Sequence, residues 1–299
     1  MFKTLLARMY GPTYRMLLQR ILAGQVVHGD ETEVKLKTGK GYVWVFASLE
    51  EVVYMYKPTR EGGFVKDLLS DFKGVLVSDF YAAYDAVECP QQKCLIHLMR
   101  DINQELLNNP FDEELISITQ PFGTLLQSIV QTVDQHGLRR KFLEKHDRQV
   151  SDFFGSVFAK PFSSDAAINL RDRLLKNREK LFTFIHYDGV PWNNNSAENA
   201  IKRFAYYREE TVGVLTESGL NDYLILLSLF QSCRYRGVSF FKFLLSGELD
   251  LDRFCEGSRS KRKFPPIEVY PKGFVPPHLA RFRDLKPDEQ RPPSDEAQS

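Results

Sequence analysis

A chain of 299 residues with 43% hydrophobic and 26% charged residues has the composition of a globular protein, long enough for one large domain or two ordinary ones. No apolar run approaches the roughly 18–20 residues needed to cross a bilayer, and the N-terminus lacks the apolar stretch and cleavage site of a signal peptide. Forty basic residues against 39 acidic ones leave a net charge of +1, so whole-chain charge lends no support to nucleic-acid binding. Four cysteines, Cys89, Cys94, Cys233 and Cys255, are too few for a disulfide scaffold and point to a reducing compartment.

Residues 1–24 read as a helical lead-in with Arg8, Arg15 and Arg20 among Leu and Met. From 25 to 36 the pattern alternates: Val26, His28, Asp30, Thr32, Val34 and Leu36 share one face of a strand, while Glu31, Glu33 and Lys35 share the other. A Gly-rich turn leads to residues 42–47, apolar on both faces and therefore central in a sheet, and 52–56 make a third strand. A helix is expected over 58–70, a short strand over 74–78 ending at Asp79, a fifth strand over 93–96 and a helix over 97–107. Three strands in a meander, then helix, strand, helix, strand and helix, is the order of a ribonuclease-H-like α/β fold, a mixed five-stranded sheet flanked by helices.

Residues 25–107 thus form the first part of a core. The span 108–187 is read as a helical insertion, with Leu125, Leu126, Ile129 and Val133 on one stripe. The second part of the core, 188–247, carries helices near 196–206 and 220–234. Eight of the fifteen prolines fall from Pro265 onward, and 248–299 is read as a Pro-rich, basic and polar tail, largely disordered.

Three acids stand out. Asp30 lies on the apolar face of its strand, where an uncompensated carboxylate is costly. Asp79 ends a buried strand, and Glu198 opens a helix. Carboxylates that converge in space are what a two-metal site requires, and magnesium prefers such oxygen ligands. Each acid also has a plainer reading. Asp79 can cap a helix over 80–84, and Glu198, three residues after Asn195, can complete a capping box. Glu31 is read as a solvated or supporting carboxylate. Cys94 and His97 offer two zinc ligands where a structural site takes four, the alternative being a buried thiol and a hydrogen-bonding histidine. Lys202 lies one helical turn beyond Glu198 and can meet a phosphate or simply pair with that acid. Arg203 and Arg208 extend its surface, and the basic run at 259–263 is read as an exposed tail with nonspecific phosphate affinity. Trp192 and Asn194 can approach an unpaired base or sugar, though a core tryptophan fits equally.

In this order, Gly29-Asp-Glu-Thr32, the segment 74–84 (Gly-Val-Leu-Val-Ser-Asp-Phe-Tyr-Ala-Ala-Tyr), Cys94-Leu-Ile-His97 and Asn194-Asn-Ser-Ala-Glu-Asn-Ala-Ile-Lys202 resemble the catalytic domain of DDE transposases of the insertion-sequence-66 family of bacterial mobile elements. The resemblance spans roughly residues 15–247. It implies a catalytic triad of Asp30, Asp79 and Glu198 holding two Mg2+ ions, with Mn2+ as a substitute. It implies DNA strand cleavage followed by strand transfer, with transposon ends and target DNA as partners. A homodimer or higher multimer in the bacterial cytoplasm, associated with the nucleoid and not with a membrane, is expected on the same ground. Such transposases carry an N-terminal extension with a coiled coil and a cysteine-rich zinc module. Here 29 residues precede Asp30 and the chain holds no CxxC pair. The expectation is a truncated, split or domesticated product whose end-recognition module comes from a separate chain. A nuclease that cuts without joining and a non-catalytic DNA-binding remnant are the rival readings.

Overall fold

The computed structural model describes residues 2–159, 161–211 and 215–259. Five strands, β1 (Val26–Leu36), β2 (Gly39–Ala47), β3 (Val52–Lys57), β4 (Val75–Ser78) and β5 (Gln91–Lys93), form one mixed sheet in the order β3-β2-β1-β4-β5. The first three run antiparallel as a meander, while β4 pairs parallel with β1 and β5 parallel with β4. The α/β class and the strand order expected from the sequence are therefore present.

Alternation decides what each face buries. Trp44 and Phe46 of β2, with Val27, Val53 and Leu76, pack under α1 (Phe2–Met9), α2 (Gly11–Ala23) and α3 (Gly63–Leu68). Val43, Val45 and Ala47 face the other way, with Val34, Leu36 and Tyr54. They meet Ala200 and Phe204 of α10 (Asn195–Glu210) and Leu220, Leu224 and Leu227 of α11 (Glu217–Tyr235). Val75 and Val77 of β4 instead pack with Leu95 and Leu98 of α4 (Leu95–Asn108). The same cluster takes in α5 (Glu113–His136), α6 (Arg140–Leu143), α7 (Asp147–Ala159), α8 (Asp165–Lys176) and α9 (Arg178–Leu181). The segment between α4 and α10 is helical, as expected, and adds no strand among the described residues.

The edge strand β3 is closed by a helix. Ser232 and Ser228 on α11 accept the backbone N–H groups of Val52 and Tyr54, each at 3.0 Å. Four helical residues rise about 6 Å and two strand residues about 6.6 Å, so the two spacings match. At the far edge β5 lies under α9 and the turn Thr183–His186, where Thr183 donates to the Gln91 carbonyl at 2.6 Å.

Several boundaries differ from expectation. The lead-in is two helices, because Tyr10 breaks the run and Pro12 is suited to starting the next. Helix α3 starts five residues late, at Gly63 rather than residue 58, and a 3-10 turn at Ala82–Ala86 replaces a helix over 80–84. Strand β5 lies at Gln91–Lys93, so α4 starts at Leu95. The assigned tail begins as structure: α12 (Phe240–Ser246) is followed by α13 (Leu251–Arg259), whose Leu251 and Cys255 are buried one turn apart. Arg236 pairs with Glu51 and Asp252, and Arg20 with Asp250 and Asp252, which anchors that helix. Residues 260–299, with most of the basic run at 259–263, lie outside the described residues. No helix among the described residues is long and apolar enough to cross a membrane.

Candidate active site

The parallel ladder between β1 and β4 pairs Val26 with Val75, Val27 with Leu76 and His28 with Val77. Asp30 lies two residues beyond the last pair on β1, and Asp79 two residues beyond it where the chain leaves β4, so the register carries both acids to the same end of neighbouring strands. Asp79 stands where β4 leaves the sheet, and its Oδ1 accepts the N–H of Tyr81 at 2.9 Å. The helix cap expected as the plainer reading of Asp79 does not form, since no helix spans 80–84; the carboxylate closes a local turn onto Tyr81 instead.

Glu198 comes from α10, and Asn194 fixes where that helix starts. Its Nδ2 donates to the Gly29 carbonyl at 2.8 Å, and its Oδ1 lies 3.1 Å from Nδ1 of His28. Its backbone N–H points at Cys94 Sγ, 3.3 Å away. Cys94 N in turn donates to the Ser78 carbonyl at 2.8 Å, and Leu95 N to the Trp192 carbonyl at 2.9 Å. Five short contacts therefore knot β1, β4, α4 and the start of α10 together beside Asp30. The capping box expected between Asn195 and Glu198 does not form: Asn195 is already helical, and its N–H is accepted by Asn193 Oδ1 at 3.2 Å. His28 is buried, and burial pushes its imidazole down to about 4 against the raising effect of Asn194, so the ring is neutral.

The acids sense one another. Burial, then the charges of Glu31 and Asp79, push the Asp30 carboxyl up to about 8; the N–H of Glu31 opposes this, and Glu198 adds to it. Glu31 is not solvated, since its side chain is only 2% exposed. Its Oε1 accepts Arg60 Nη2 at 2.6 Å and Nε at 3.1 Å, and its Oε2 accepts the Tyr84 hydroxyl at 2.8 Å. Burial raises the Glu31 carboxyl despite those partners. The Arg60 guanidinium lies over the Tyr81 ring at 3.9 Å, a cation–π contact that holds it in place. A Cβ on Gly29 would lie 2.9 Å from the Tyr84 ring, so the close approach of β1 to that tyrosine needs glycine.

Other residues singled out from the sequence part company. Glu198 Oε1 lies 3.9 Å from both Cys94 Sγ and His97 Nε2. Lys202 and Arg203 are exposed and line a groove with Asn199, Tyr206 and Arg234. Arg208 instead donates through Nη1 to Thr32 Oγ1 at 2.7 Å and the Glu33 carbonyl at 2.6 Å, bracing β1. Asn194, expected at DNA, is fully buried with both ends of its amide engaged, so its side chain is closed to a nucleic acid. Trp192 is half-buried against the helical cluster, which favours its packing reading. Sequence reasoning misses Arg60 and Tyr84; Tyr84 ends the segment 74–84, the one signal that points to it.

Uncharacterized protein y4qI of Sinorhizobium fredii (strain NBRC 101917 / NGR234) is 24% identical over 258 residues, which cover 74% of this chain and 47% of that protein. The chain thus spans about half the length of the curated relative it matches. The transposase IS66 family matches residues 3–222, from the lead-in helices into α11. That span includes β1, β4, α4 and α10, and with them every carboxylate of the cluster, so the chain belongs to the IS66 family of transposases.

Proposed function

We propose that this chain is the catalytic part of a DDE transposase with a ribonuclease-H-like core, and that it cuts DNA strands and joins the freed 3′ ends to target DNA. The observation that carries the reading is the placement of Asp30 and Asp79 along neighbouring parallel strands, with the helix start that bears Glu198 held against them through Asn194. Four carboxylates gather here, counting Glu31, and Arg60 is the cation that pairs with one of them. Such a surplus of negative charge in a partly buried place fits a hard divalent cation, and an oxygen-only donor set fits Mg2+, or Mn2+ in its stead.

Asp30, Asp79 and Glu198 would hold two such ions. When bound, two ions supply a nucleophile at neutral pH and stabilise the leaving oxygen of an in-line displacement. The chain itself positions the acids. The register of β1 on β4 aligns Asp30 with Asp79, the Asn194 knot sets Glu198 against them, and Arg60 with Tyr84 keeps Glu31 turned away from the centre. Lys202 and Arg203 offer exposed cations for phosphates approaching along α10. No covalent protein–DNA bond is needed, so no nucleophilic side chain is required. A multimer and a second chain that recognises specific ends belong to the same proposal, on the ground of the transposase family.

The test is strand cleavage and strand transfer on DNA carrying the sequences that flank the gene on either side. Asp30→Asn, Asp79→Asn and Glu198→Gln should each abolish both activities while leaving the circular dichroism spectrum unchanged. Robust cleavage by one variant would remove that residue from the triad. Hydrolysed ends without joined products would establish the nuclease that cuts without joining. Binding without cleavage by the wild type would establish the non-catalytic remnant.

A further inference from the structure

Glu198 faces two different sets of neighbours. On one side are the oxygen ligands of Asp30 and Asp79; on the other are a sulfur and a nitrogen. Cys94 is the residue before α4, and its Sγ accepts the N–H of Asn194 from the start of α10. Further N–H groups at His97 and Ile96 turn toward the same sulfur, so two helix N-termini meet at one thiol, although burial outweighs them and raises the thiol overall. His97 lies three residues on, on the same face of α4, and is half-buried. Its Nδ1 is buried and has no hydrogen-bond partner among the described residues. One ligand atom from each of Cys94, His97 and Glu198 lies within 4.8 Å of the other two.

We infer that Cys94, His97 and Glu198 form a site for a zinc-class cation, with one coordination position left open, that is separate from the oxygen-only set and shares Glu198 with it. Tetrahedral zinc, with Zn–S near 2.3 Å and Zn–N and Zn–O near 2.0–2.1 Å, sets its ligand atoms about 3.3–3.6 Å apart. The 3.9 Å separations from Glu198 need only small side-chain rotations to close. The donor set separates the ions: thiolate and imidazole favour zinc, whereas magnesium takes oxygen. Three protein ligands with an open fourth position match an exchangeable site more closely than a closed structural one. The sharing of Glu198 has a functional consequence only on the role proposed for that acid above; the site itself does not depend on it. On that reading, zinc at Cys94 withdraws Glu198 from the oxygen set.

Cobalt(II) is the probe, titrated into the full chain without magnesium. The expected result is a thiolate-to-cobalt charge-transfer band in the near ultraviolet that zinc displaces. It should vanish in Cys94→Ser, weaken in His97→Gln and persist in Asp79→Asn. A wild type without the band, or a band that survives in Cys94→Ser, would overturn the inference. If Cys94→Ser fails to fold, zinc absorption spectroscopy on the wild type decides: one sulfur neighbour supports the site, none ends it. Failure of the triad reading shows elsewhere, as Mn2+ binding that is undiminished in Asp79→Asn.

Discussion

Replacing Asp30 with asparagine should stabilise the metal-free protein, by an amount that depends on pH. The folded chain holds the Asp30 proton up to about pH 8, against 3.8 for an ordinary aspartate. The folded state therefore binds that proton more tightly than the unfolded state, so the stability of the wild type falls as pH rises between those two values and levels off above the upper one. A shift of about four units at roughly 1.4 kcal/mol each sets a ceiling of about 6 kcal/mol. Relaxation and water entry weaken the cost of buried charge, so we expect about 3 kcal/mol of the ceiling to be realised. The asparagine side chain keeps an oxygen to accept the Glu31 N–H, which Asp30 Oδ1 accepts at 2.9 Å, and removes only the charge. Urea unfolding in the presence of a chelator, at a series of pH values from about 5 to about 9, measures the difference between variant and wild type. That difference should grow in favour of the variant up to about pH 8 and then stay flat. A difference that is independent of pH, or that shrinks as pH rises, would mean that Asp30 is ionised and compensated in the folded chain. Asp30 would then be an ordinary compensated carboxylate and not one of three buried acids pressed together.

Mn2+ should reverse the pattern. Because the ion must displace the Asp30 proton, its stabilisation of the wild type should be larger at about pH 8 than at about pH 6 by thermal shift; an undiminished shift in Asp30→Asn would exclude Asp30 as a ligand. Asn194→Ala leaves the Gly29 carbonyl and His28 Nδ1 without partners in a buried place. It should cost about 1–3 kcal/mol in urea unfolding and lower strand cleavage by letting α10 drift; unchanged stability would show that the knot is not a support. Lys202→Ala with Arg203→Ala should weaken DNA binding across sequences and reduce the salt slope by about two. Arg208→Ala should leave the slope alone and destabilise the fold, and an equal change in slope there would return Arg208 to the DNA surface.

The sheet is legible because β1 alternates and β2 is apolar on both faces, patterns that depend on local sequence alone. Strand β5 reads two residues late for the opposite reason. Gln91, Gln92 and Lys93 are all buried, yet nothing in a Gln-Gln-Lys run announces burial. Their polar ends are taken up by the Tyr84 and Val87 carbonyls and Asp85 of the turn just before β5 and by the distant Leu181 carbonyl, none of which the run itself reveals. Alternation assigns Glu31 to solvent, but Tyr84 and Arg60 cover that side of β1. Of three successive asparagines, the sequence does not say which turns inward, because the choice is set by how α10 docks on β1. Arg208 reads as one more surface cation for the same reason: the Thr32 and Glu33 groups that claim it lie on another element. Leu251 and Cys255 are spaced by one helical turn, but the prolines that follow draw the tail boundary ahead of them.

The seam between α11 and β3 limits how copies of this protein can come together. A sheet with a bare outer strand can grow by adding a strand from a neighbour, the commonest hazard and a frequent assembly route of such edges. Here two serine hydroxyls occupy the amides that a visiting strand would use. Copies gathered on DNA would therefore have to meet through helices and loops at this edge. The same lock makes α11 a fixed strut whose Arg234 end borders the Lys202 groove, so a load applied by DNA along α10 is passed to the whole sheet.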